Sequence, residues 1–376
     1  MSGFRQVERA MEEAVGSRVF PGAVLLVNKE AQVVYHRAFG HRSVEPDVTP
    51  LHEDTIFDLS SLTKPLATTT AFLLLARELK LRIDDRVTRI FHNFGVHGKT
   101  HITFRHLLGH SSGLPGWRAY YKEILKVERG GRVNFLCSHG AKQHVYELIH
   151  REKPEAEPGR SVLYSDLGFI LLGEAIEEVS GAALDRFCQD RIFKPLGLRS
   201  TSFIDLSLVR TRRLVPVTEM IAPTERCEWR GKVICGEVHD DNAYAMGGVA
   251  GHSGLFASAG DVNLLVSKLR DCYLGKNPFL PDGLMQEAFS RDKTVAQSPR
   301  TLGWDTPATV GSAAGTRFSR KTIGHLGFTG TSVWLDLEKA VHVVLLSNRV
   351  HPSRNNDKIK DFRPLIHDLV MEAVGC

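Results

Sequence analysis

Residues 60–64 read Ser60-Ser61-Leu62-Thr63-Lys64 and stand at a change in the character of the chain. Residues 56–59 before them are strand-like, and residues 62–79 after them are strongly apolar, which predicts a buried helix. Pro65 is tolerated only in the first turn of a helix, so this helix is predicted to begin near Ser61. The sequence therefore predicts a strand that leads directly into a buried helix, with a serine at the junction.

Ser61 and Lys64 form an S-x-x-K pair at the start of this helix. Residues three apart share a helix face, so we expect the Lys64 amine to reach the Ser61 hydroxyl. The positive end of the helix dipole favours a negative charge developing on Ser61. Burial is expected to lower the pKa of Lys64 and make it a usable base. A second match, Ser290-Arg291-Asp292-Lys293, lies among polar residues with no apolar helix behind it, so Ser61 is the predicted nucleophile.

A competing serine lies in Gly109-His110-Ser111-Ser112-Gly113, which matches the G-x-S-x-G pattern of the nucleophile elbow. An elbow needs a strand before its serine and a helix after it. Here residues 102–108 look like a short helix, and residues 113–116, Gly-Leu-Pro-Gly, break helices. Ser111 is therefore interpreted as part of a turn that ends a helix.

Two later stretches carry candidate chemistry. Tyr164-Ser165-Asp166 opens a second buried helix, and a tyrosine beside a lysine can pass a proton between nucleophile and leaving group; the alternative is a packed tyrosine with one hydrogen bond. Residues 324–331 contain glycines before a strand, which let a backbone approach a ligand. A backbone N–H there can pair with the Ser61 N–H as an oxyanion hole; the alternative is a turn at a sheet edge.

Composition limits the possible classes of function. The chain has 376 residues, a formal net charge of +5 and 42% hydrophobic residues, values ordinary for a globular protein with a sizeable core.

Its basic residues lack interleaved aromatics, so no nucleic-acid partner is expected. The longest apolar run, residues 71–76, is too short for a bilayer, so no membrane partner is expected. No signal peptide and no C-x-x-C pair are seen, which predicts a cytoplasmic protein with reduced thiols.

The 17 histidines raise the alternative of a metal hydrolase. His106 and His110 are four residues apart, and His239, Asp240 and His252 form a second group. The H-E-x-x-H motif does not occur and the spacings are irregular, so no metal and no other cofactor is expected. The polar, glycine-rich segment around the second group is instead predicted to be a loop of the substrate cleft, with Asp240 and His252 as contacts.

Strand-like segments occur at both ends of the chain, at residues 23–27, 33–38, 332–337 and 341–347. Single hairpins are not stable alone, so the two pairs are predicted to join into one sheet. The middle of the chain is mostly helical, with helices predicted at residues 166–179 and 262–269, and a last apolar pattern that includes Leu365 predicts a closing helix. We predict a sheet lobe from residues 1–60 and 290–376 and a mostly helical lobe from residues 61–289, with the active site between them.

Together the stretches Ser61-Leu62-Thr63-Lys64, Tyr164-Ser165-Asp166 and His325-Leu326-Gly327 resemble the ordered S-x-x-K, Y-x-N and K/H-x-G pattern of the serine-reactive penicillin-recognising hydrolases. This superfamily includes class C β-lactamases, DD-peptidases, D-aminopeptidases and family VIII carboxylesterases. The resemblance covers nearly the whole chain and includes residues 102–116. It implies an α+β, β-lactamase/transpeptidase-like fold, with an antiparallel sheet flanked by terminal helices beside a mostly helical second lobe.

The resemblance also implies roles for individual residues. Ser61 would be the acylated nucleophile and Lys64 its proton acceptor, while Tyr164 would be the general base that also protonates the leaving group. The N–H groups of Ser61 and Phe328 would form the oxyanion hole. The expected substrate contacts are Asp166, His325, Gly327, Asp240 and His252.

Two residues depart from the pattern. Asp166 replaces an asparagine that donates to a substrate amide, and an ionised carboxylate cannot donate. His325 replaces a lysine and reduces the fixed positive charge, since histidine is mostly neutral at pH 7. Both changes favour a carboxylesterase or amide hydrolase with a small-molecule substrate.

The alternatives are a β-lactamase or D-amino-acid peptidase such as a DD-carboxypeptidase, and a catalytically silent, penicillin-binding-like binding module. The oligomeric state is not predicted.

Overall fold

The structure, a computed structural model, describes residues 3–376. Its strands are β1 (Gly22–Lys29), β2 (Gln32–Ser43), β3 (Thr49–Pro50), β4 (Phe57–Asp58), β5 (Ser202–Phe203), β6 (Arg226–Cys227), β7 (Lys232–Val233), β8 (Leu255–Ala257), β9 (Thr322–Leu326), β10 (Ser332–Asp336) and β11 (Val341–Ser347). Its helices are α1 (Arg5–Gly16), α2 (Thr70–Arg77), α3 (Phe104–Leu108), α4 (Tyr120–Arg129), α5 (His139–Arg151), α6 (Asp166–Ser180), α7 (Leu184–Cys188), α8 (Lys194–Leu196), α9 (Leu206–Arg210), α10 (Asp241–Ala245), α11 (Ala259–Tyr273), α12 (Asp282–Phe289) and α13 (Ile359–Ala373).

The two ends of the chain join in one antiparallel sheet with the strand order β3-β2-β1-β11-β10-β9. β1 pairs with β11 in the register Leu25 to Leu345, which makes the junction between the two predicted hairpins. Leu25 packs with the terminal helices α1 and α13, whereas Val24 and Leu26 pack with the rest of the core. Because both faces of β1 are covered, the strand is a continuous apolar run and does not alternate with polar residues. The predicted antiparallel sheet flanked by terminal helices is confirmed.

The predicted helices at residues 166–179 and 262–269 are α6 and α11. The closing helix is α13, but Leu365, expected on its apolar face, is 53% exposed. No helix in residues 3–376 combines the length and the apolar character that crossing a membrane requires. α11 packs on the sheet, where Asn263 contacts the Asn28 amide at 3.0 Å and the His342 ring at 2.7 Å. The division of the chain into two lobes stays a prediction.

The helix expected over residues 62–79 is divided. A single 3₁₀ turn, Ser60–Leu62, is followed by a wide π-helical segment, Lys64–Thr69, and then by α2. The prediction of one regular helix was wrong, because Pro65 has no N–H to contribute and disturbs the bonding of its turn. Wide turns of this kind are frequent at functional sites.

A small sheet with the order β4-β8-β5 brings the glycine-rich loop before β8 to the start of this helical segment. The Leu59 N–H donates to the Leu255 carbonyl at 2.9 Å. The Leu255 N–H donates to the Thr63 hydroxyl at 3.1 Å. These bonds place residues 239–254 beside Ser61.

Candidate active site

Ser61 and Lys64 lie where β4 passes into the 3₁₀ turn, and the expected contact between amine and hydroxyl is present. The Lys64 Nζ donates to the Ser61 Oγ at 3.1 Å and to the His252 carbonyl at 3.0 Å. The same nitrogen lies 2.8 Å from a carboxylate oxygen of Asp166, and the Lys64 side chain is fully buried. The three N–H donors of an ammonium group therefore each have an acceptor.

The pKa of Lys64 moves in the direction opposite to the one expected. Burial alone would lower the pKa of Lys64, but the charge of Asp166, together with Tyr164, raises it above its usual value. The expectation of a lowered pKa was wrong, because sequence reasoning considered burial without this carboxylate. Lys64 holds its proton at neutral pH, so it is poorly suited to act alone as a base.

Asp166 lies in the first turn of α6, where the helix dipole favours a carboxylate. The Ser165 hydroxyl caps this helix and accepts the Gly168 N–H at 3.3 Å. The Asp166 N–H donates to the Gly116 carbonyl at 2.9 Å. Asp166 was expected to contact substrate; its side chain lines the cleft but is directed to Lys64, since an ionised carboxylate beside a buried ammonium forms an ion pair.

Tyr164 is surrounded by cationic and aromatic groups. The Lys64 Nζ lies 4.9 Å and the Arg300 guanidinium 5.1 Å from the centre of its ring. The rings of His110 and His325 have their centres 4.5 Å and 6.0 Å away. Burial lowers the pKa of both histidines well below the usual range, so both are neutral. Arg300 was missed, and His110 was considered only as a metal ligand, because no local pattern connects either residue to Tyr164.

The segment that contains Ser111 supports Tyr164 and does not face the cleft. The carbonyls of Gly113, Ser111 and His110 accept the N–H groups of Glu155, Gly159 and Leu163 at 2.7, 2.8 and 2.9 Å. The His110 Nδ1 accepts the Ser165 N–H at 3.0 Å. The Ser111 side chain is fully buried, and its hydroxyl has no hydrogen-bond partner within the described residues. The chain therefore uses this G-x-S-x-G stretch to hold the segment that carries Tyr164.

His325 and Gly327 were expected to contact substrate; both are buried and neither is among the residues that line the cleft. His325 is buried, with its Nδ1 2.9 Å from the Leu326 carbonyl. A Cβ on Gly327 would lie 2.6 Å from the Leu59 carbonyl oxygen, so only glycine fits there. Their expected contacts with substrate stay predictions.

Phe328 follows Gly327, and its backbone is held on both sides. Its N–H donates to the Ser60 Oγ at 3.2 Å, and its carbonyl accepts from the Arg349 Nε at 2.8 Å. Arg363 donates to the carbonyls of Gly327 and Thr331 at 3.0 and 2.9 Å. Cations from the turn after the last strand and from the last helix thus fix the orientation of the Phe328 backbone.

Asp240 and His252 lie in the cleft as predicted, where they contact one another. The Asp240 Oδ1 lies 3.0 Å from the His252 Nε2 and accepts the Ala243 N–H at 2.7 Å, which caps α10. Burial would raise the pKa of Asp240, but His252 and the cap hold it well below the usual range. Their expected contacts with substrate stay predictions.

The cleft has a volume of about 330 Å³. It is lined by Ser60, Ser61, Trp117, Tyr164, Asp166, His239, Asp240, Asp241, His252, Ser253, Phe328 and Arg354. The histidines of the metal alternative have separate partners: the His106 Nδ1 accepts the Thr103 N–H at 3.0 Å, and the His239 Nε2 lies 2.9 Å from Glu225. Within residues 3–376, no three His, Cys, Asp or Glu side chains are grouped so that they could hold a metal ion.

Comparison with known proteins identifies the family. The chain matches the Beta-lactamase family model over residues 7–366. It is 32% identical over 356 residues to the "Putative D-alanyl-D-alanine carboxypeptidase" of Escherichia coli K12, covering 88% of this chain and 79% of that protein.

Two solved structures share the fold. One is EstCE1, described as a hydrolase with promiscuous acyltransferase activity, with a TM-score of 0.73, 24% identity and coverage of 96% of this chain and 98% of that one. The other is the octameric penicillin-binding protein homologue from Pyrococcus abyssi, with a TM-score of 0.70, 22% identity and coverage of 96% and 76%. The family model and the curated relative together establish that the chain belongs to the Beta-lactamase family.

Proposed function

We propose that this protein is a serine hydrolase that cleaves small esters or amides through an acyl-enzyme on Ser61. One observation carries the proposal: the buried Lys64 Nζ lies 3.1 Å from the Oγ of Ser61, which lines the cleft together with Tyr164 and Asp166. A nucleophile and a proton-transfer group within hydrogen-bond reach of one another are the geometric requirement for acyl transfer. Family membership supports the same reaction class.

The ion pair provides a route for the first proton. The Ser61 Oγ attacks the carbonyl carbon of the substrate while its proton passes to Lys64, and Lys64 passes one of its own protons to Asp166. No free amine is needed beforehand, which suits a lysine whose pKa is raised. The Lys64 ammonium that results stays beside the reacting oxygen.

The second proton goes to the leaving group. The bond between the carbonyl carbon and the leaving group breaks, and Tyr164 gives its phenol proton to the departing atom. Lys64 returns a proton to Tyr164 and takes one back from Asp166, so the proton of Ser61 has in effect moved to the leaving group. Water then attacks the acyl-enzyme by the reverse path.

The charges around the cleft favour an uncharged substrate. The carboxylates that line it, Asp166, Asp240 and Asp241, each contact a cation or a histidine, and the lining cation, Arg354, is held by Glu225 and Asp241. A substrate carboxylate would therefore find no lining cation that lacks a carboxylate partner of its own. The half-exposed rings of Trp117 and Phe328 offer apolar surface for an acyl chain. These features support an ester with an uncharged, apolar acyl group.

A D-alanyl-D-alanine carboxypeptidase is the second candidate. It is favoured by the identity of 32% with the E. coli protein of that name. Such a substrate ends in a carboxylate, and the lining cation that could bind it, Arg354, is already held by Glu225 and Asp241.

Initial rates with p-nitrophenyl butyrate, an acyl-D-alanyl-D-alanine peptide and nitrocefin test the proposal, using the wild type, Ser61→Ala and Ser111→Ala. The proposed esterase turns over the butyrate ester fastest, loses this activity in Ser61→Ala and keeps it in Ser111→Ala. Faster release of D-alanine would replace it with the second candidate. Absence of turnover of every substrate would favour a silent binding module.

A further inference from the structure

A second serine, Ser60, stands between the expected oxyanion site and one of its expected donors. The Phe328 N–H donates to the Ser60 Oγ at 3.2 Å. Ser60 lines the cleft beside Ser61, although it is largely buried. The Phe328 N–H is thus not directly open to a substrate oxygen, because a hydroxyl lies in front of it.

The backbone of Ser60 is held in an unusual conformation. Its φ is +50°, a left-handed value that residues other than glycine rarely adopt. The Ser60 N–H donates to the Asp58 Oδ1 at 2.8 Å, and the Ser60 carbonyl accepts from the Thr63 hydroxyl at 2.6 Å. Asp58 is itself fixed by the His239 N–H at 2.6 Å from its other oxygen. Strained backbone that the surroundings hold in place is typical of active sites.

The hydroxyl of Ser60 keeps a donor available. A serine hydroxyl has one hydrogen to donate and two lone pairs to accept with. The Phe328 N–H uses one lone pair, which leaves the hydrogen free to point into the cleft. An N–H that donates to a hydroxyl also polarises it and strengthens the bond that the hydroxyl donates in turn.

We propose that Ser60 is a catalytic residue whose hydroxyl donates to the oxyanion beside the Ser61 N–H, with the Phe328 N–H bound behind it. The inference rests on the proposed acyl transfer at Ser61. As the bond from the Ser61 Oγ to the carbonyl carbon forms, the carbonyl oxygen gains the negative charge and accepts the Ser60 hydrogen bond. Ser60 keeps its proton throughout, and the bond is made fully only in the transition state.

A Ser60 hydroxyl that only obstructs the Phe328 N–H would have the opposite effect on the rate. If the Ser60 hydroxyl only blocked the Phe328 N–H in the free enzyme, its removal would expose that donor and raise the rate. If it is a donor, its removal lowers the rate. The sign of the change therefore decides between a catalytic group and an obstruction.

Ser60→Ala and Ser60→Gly test the role, with Ser111→Ala as the control, since Ser111 is a buried serine outside the cleft. Both Ser60 variants lack the hydroxyl, but only glycine also relieves the left-handed backbone. We expect kcat for p-nitrophenyl butyrate to fall about 10- to 100-fold in both variants. This decrease is smaller than the one expected when an oxyanion donor is lost without replacement, because the exposed Phe328 N–H partly takes over the role. KM should change little, as expected for an interaction made in the transition state.

Labelling of Ser61 by a fluorophosphonate, followed by intact mass, separates the possible failures. A wild-type protein that takes no label overturns the proposed function and the role of Ser60 with it. A wild type that is labelled, with Ser60 variants that keep or exceed its kcat, overturns only the role of Ser60. A loss of kcat in Ser60→Ala that is absent in Ser60→Gly assigns the effect to backbone strain and contradicts the proposal.

Discussion

Two serine doublets in this chain carry hydrolase-like motifs, and their surroundings give them different uses. Ser61 of residues 60–64 is partly exposed in the cleft and accepts a hydrogen bond from the buried Lys64 amine. Ser111 of residues 109–113 is fully buried, and no partner contacts its hydroxyl within residues 3–376. A candidate nucleophile is therefore distinguished by its exposure to the cleft and by a proton-transfer partner. A match to a sequence motif alone does not identify it.

The second doublet still serves the first. Its segment accepts a series of hydrogen bonds from residues 155–165, and this pairing positions Tyr164 at the cleft. Changes to residues near Ser61 should therefore reduce catalysis, whereas changes to residues near Ser111 should act mainly on stability. The variants below test that contrast.

Lys64→Ala should have the largest effect. It removes the group that moves protons to and from Ser61, so kcat/KM for p-nitrophenyl butyrate should fall about a thousandfold. It also leaves the Asp166 carboxylate without its partner, which should lower the free energy of unfolding by about 3 kcal/mol. The double variant Lys64→Ala/Asp166→Asn should regain stability in urea but not activity. A single variant that retains more than a tenth of wild-type activity would remove Lys64 from the mechanism.

Asp166→Asn should have an intermediate effect, about 10- to 100-fold on kcat/KM, because Lys64 loses its proton acceptor. Without the carboxylate, burial is opposed only by Tyr164, and the pKa of Lys64 should fall. The remaining activity should then rise with pH as the amine loses its proton, whereas the wild type keeps its ion pair and changes less. Rate profiles between about pH 6 and 10 measure this difference. An unchanged profile would contradict the relay.

The features that depend on local spacing could be predicted from the sequence. Ser61 and Lys64 are three residues apart, so their contact follows from helix geometry. The contact of Ser60 with Phe328 spans 268 residues and could not be read from either segment. The direction of the Lys64 pKa was missed for the same reason, since Asp166 enters only through the tertiary fold.

Gly113→Ala should act on stability more than on chemistry. Gly113 has a φ of +75°, and an added Cβ would lie 1.9 Å from the Ala156 carbonyl oxygen. We expect a loss of about 2–4 kcal/mol in the free energy of unfolding. Gly181→Ala is the matched control, because its φ is +69° but nothing lies within 4 Å of an added Cβ. It should cost about 1 kcal/mol. Equal urea midpoints for the two variants would disprove the close approach.

The smallest effect is the change that His110→Asn should make in the pH dependence of stability, which appears only in acid. Burial keeps the pKa of His110 well below 6.5 in the folded state. As the pH falls below about 6.5, the unfolded chain binds a proton that the folded protein does not, so stability is lost by up to about 1.4 kcal/mol per pH unit. Asparagine keeps an acceptor for the Ser165 N–H but does not titrate, so the variant should lose less stability between pH 8 and 5. Equal losses in both proteins would show that His110 does not contribute.

Mapping of the acylated residue tests the central claim most directly. The wild-type protein is reacted with a fluorophosphonate, weighed intact and digested, and the labelled peptide is sequenced by mass spectrometry. The account predicts one adduct per chain, located on Ser61, formed in Ser111→Ala and absent in Ser61→Ala. An adduct on Ser111, or none on either serine, would contradict it.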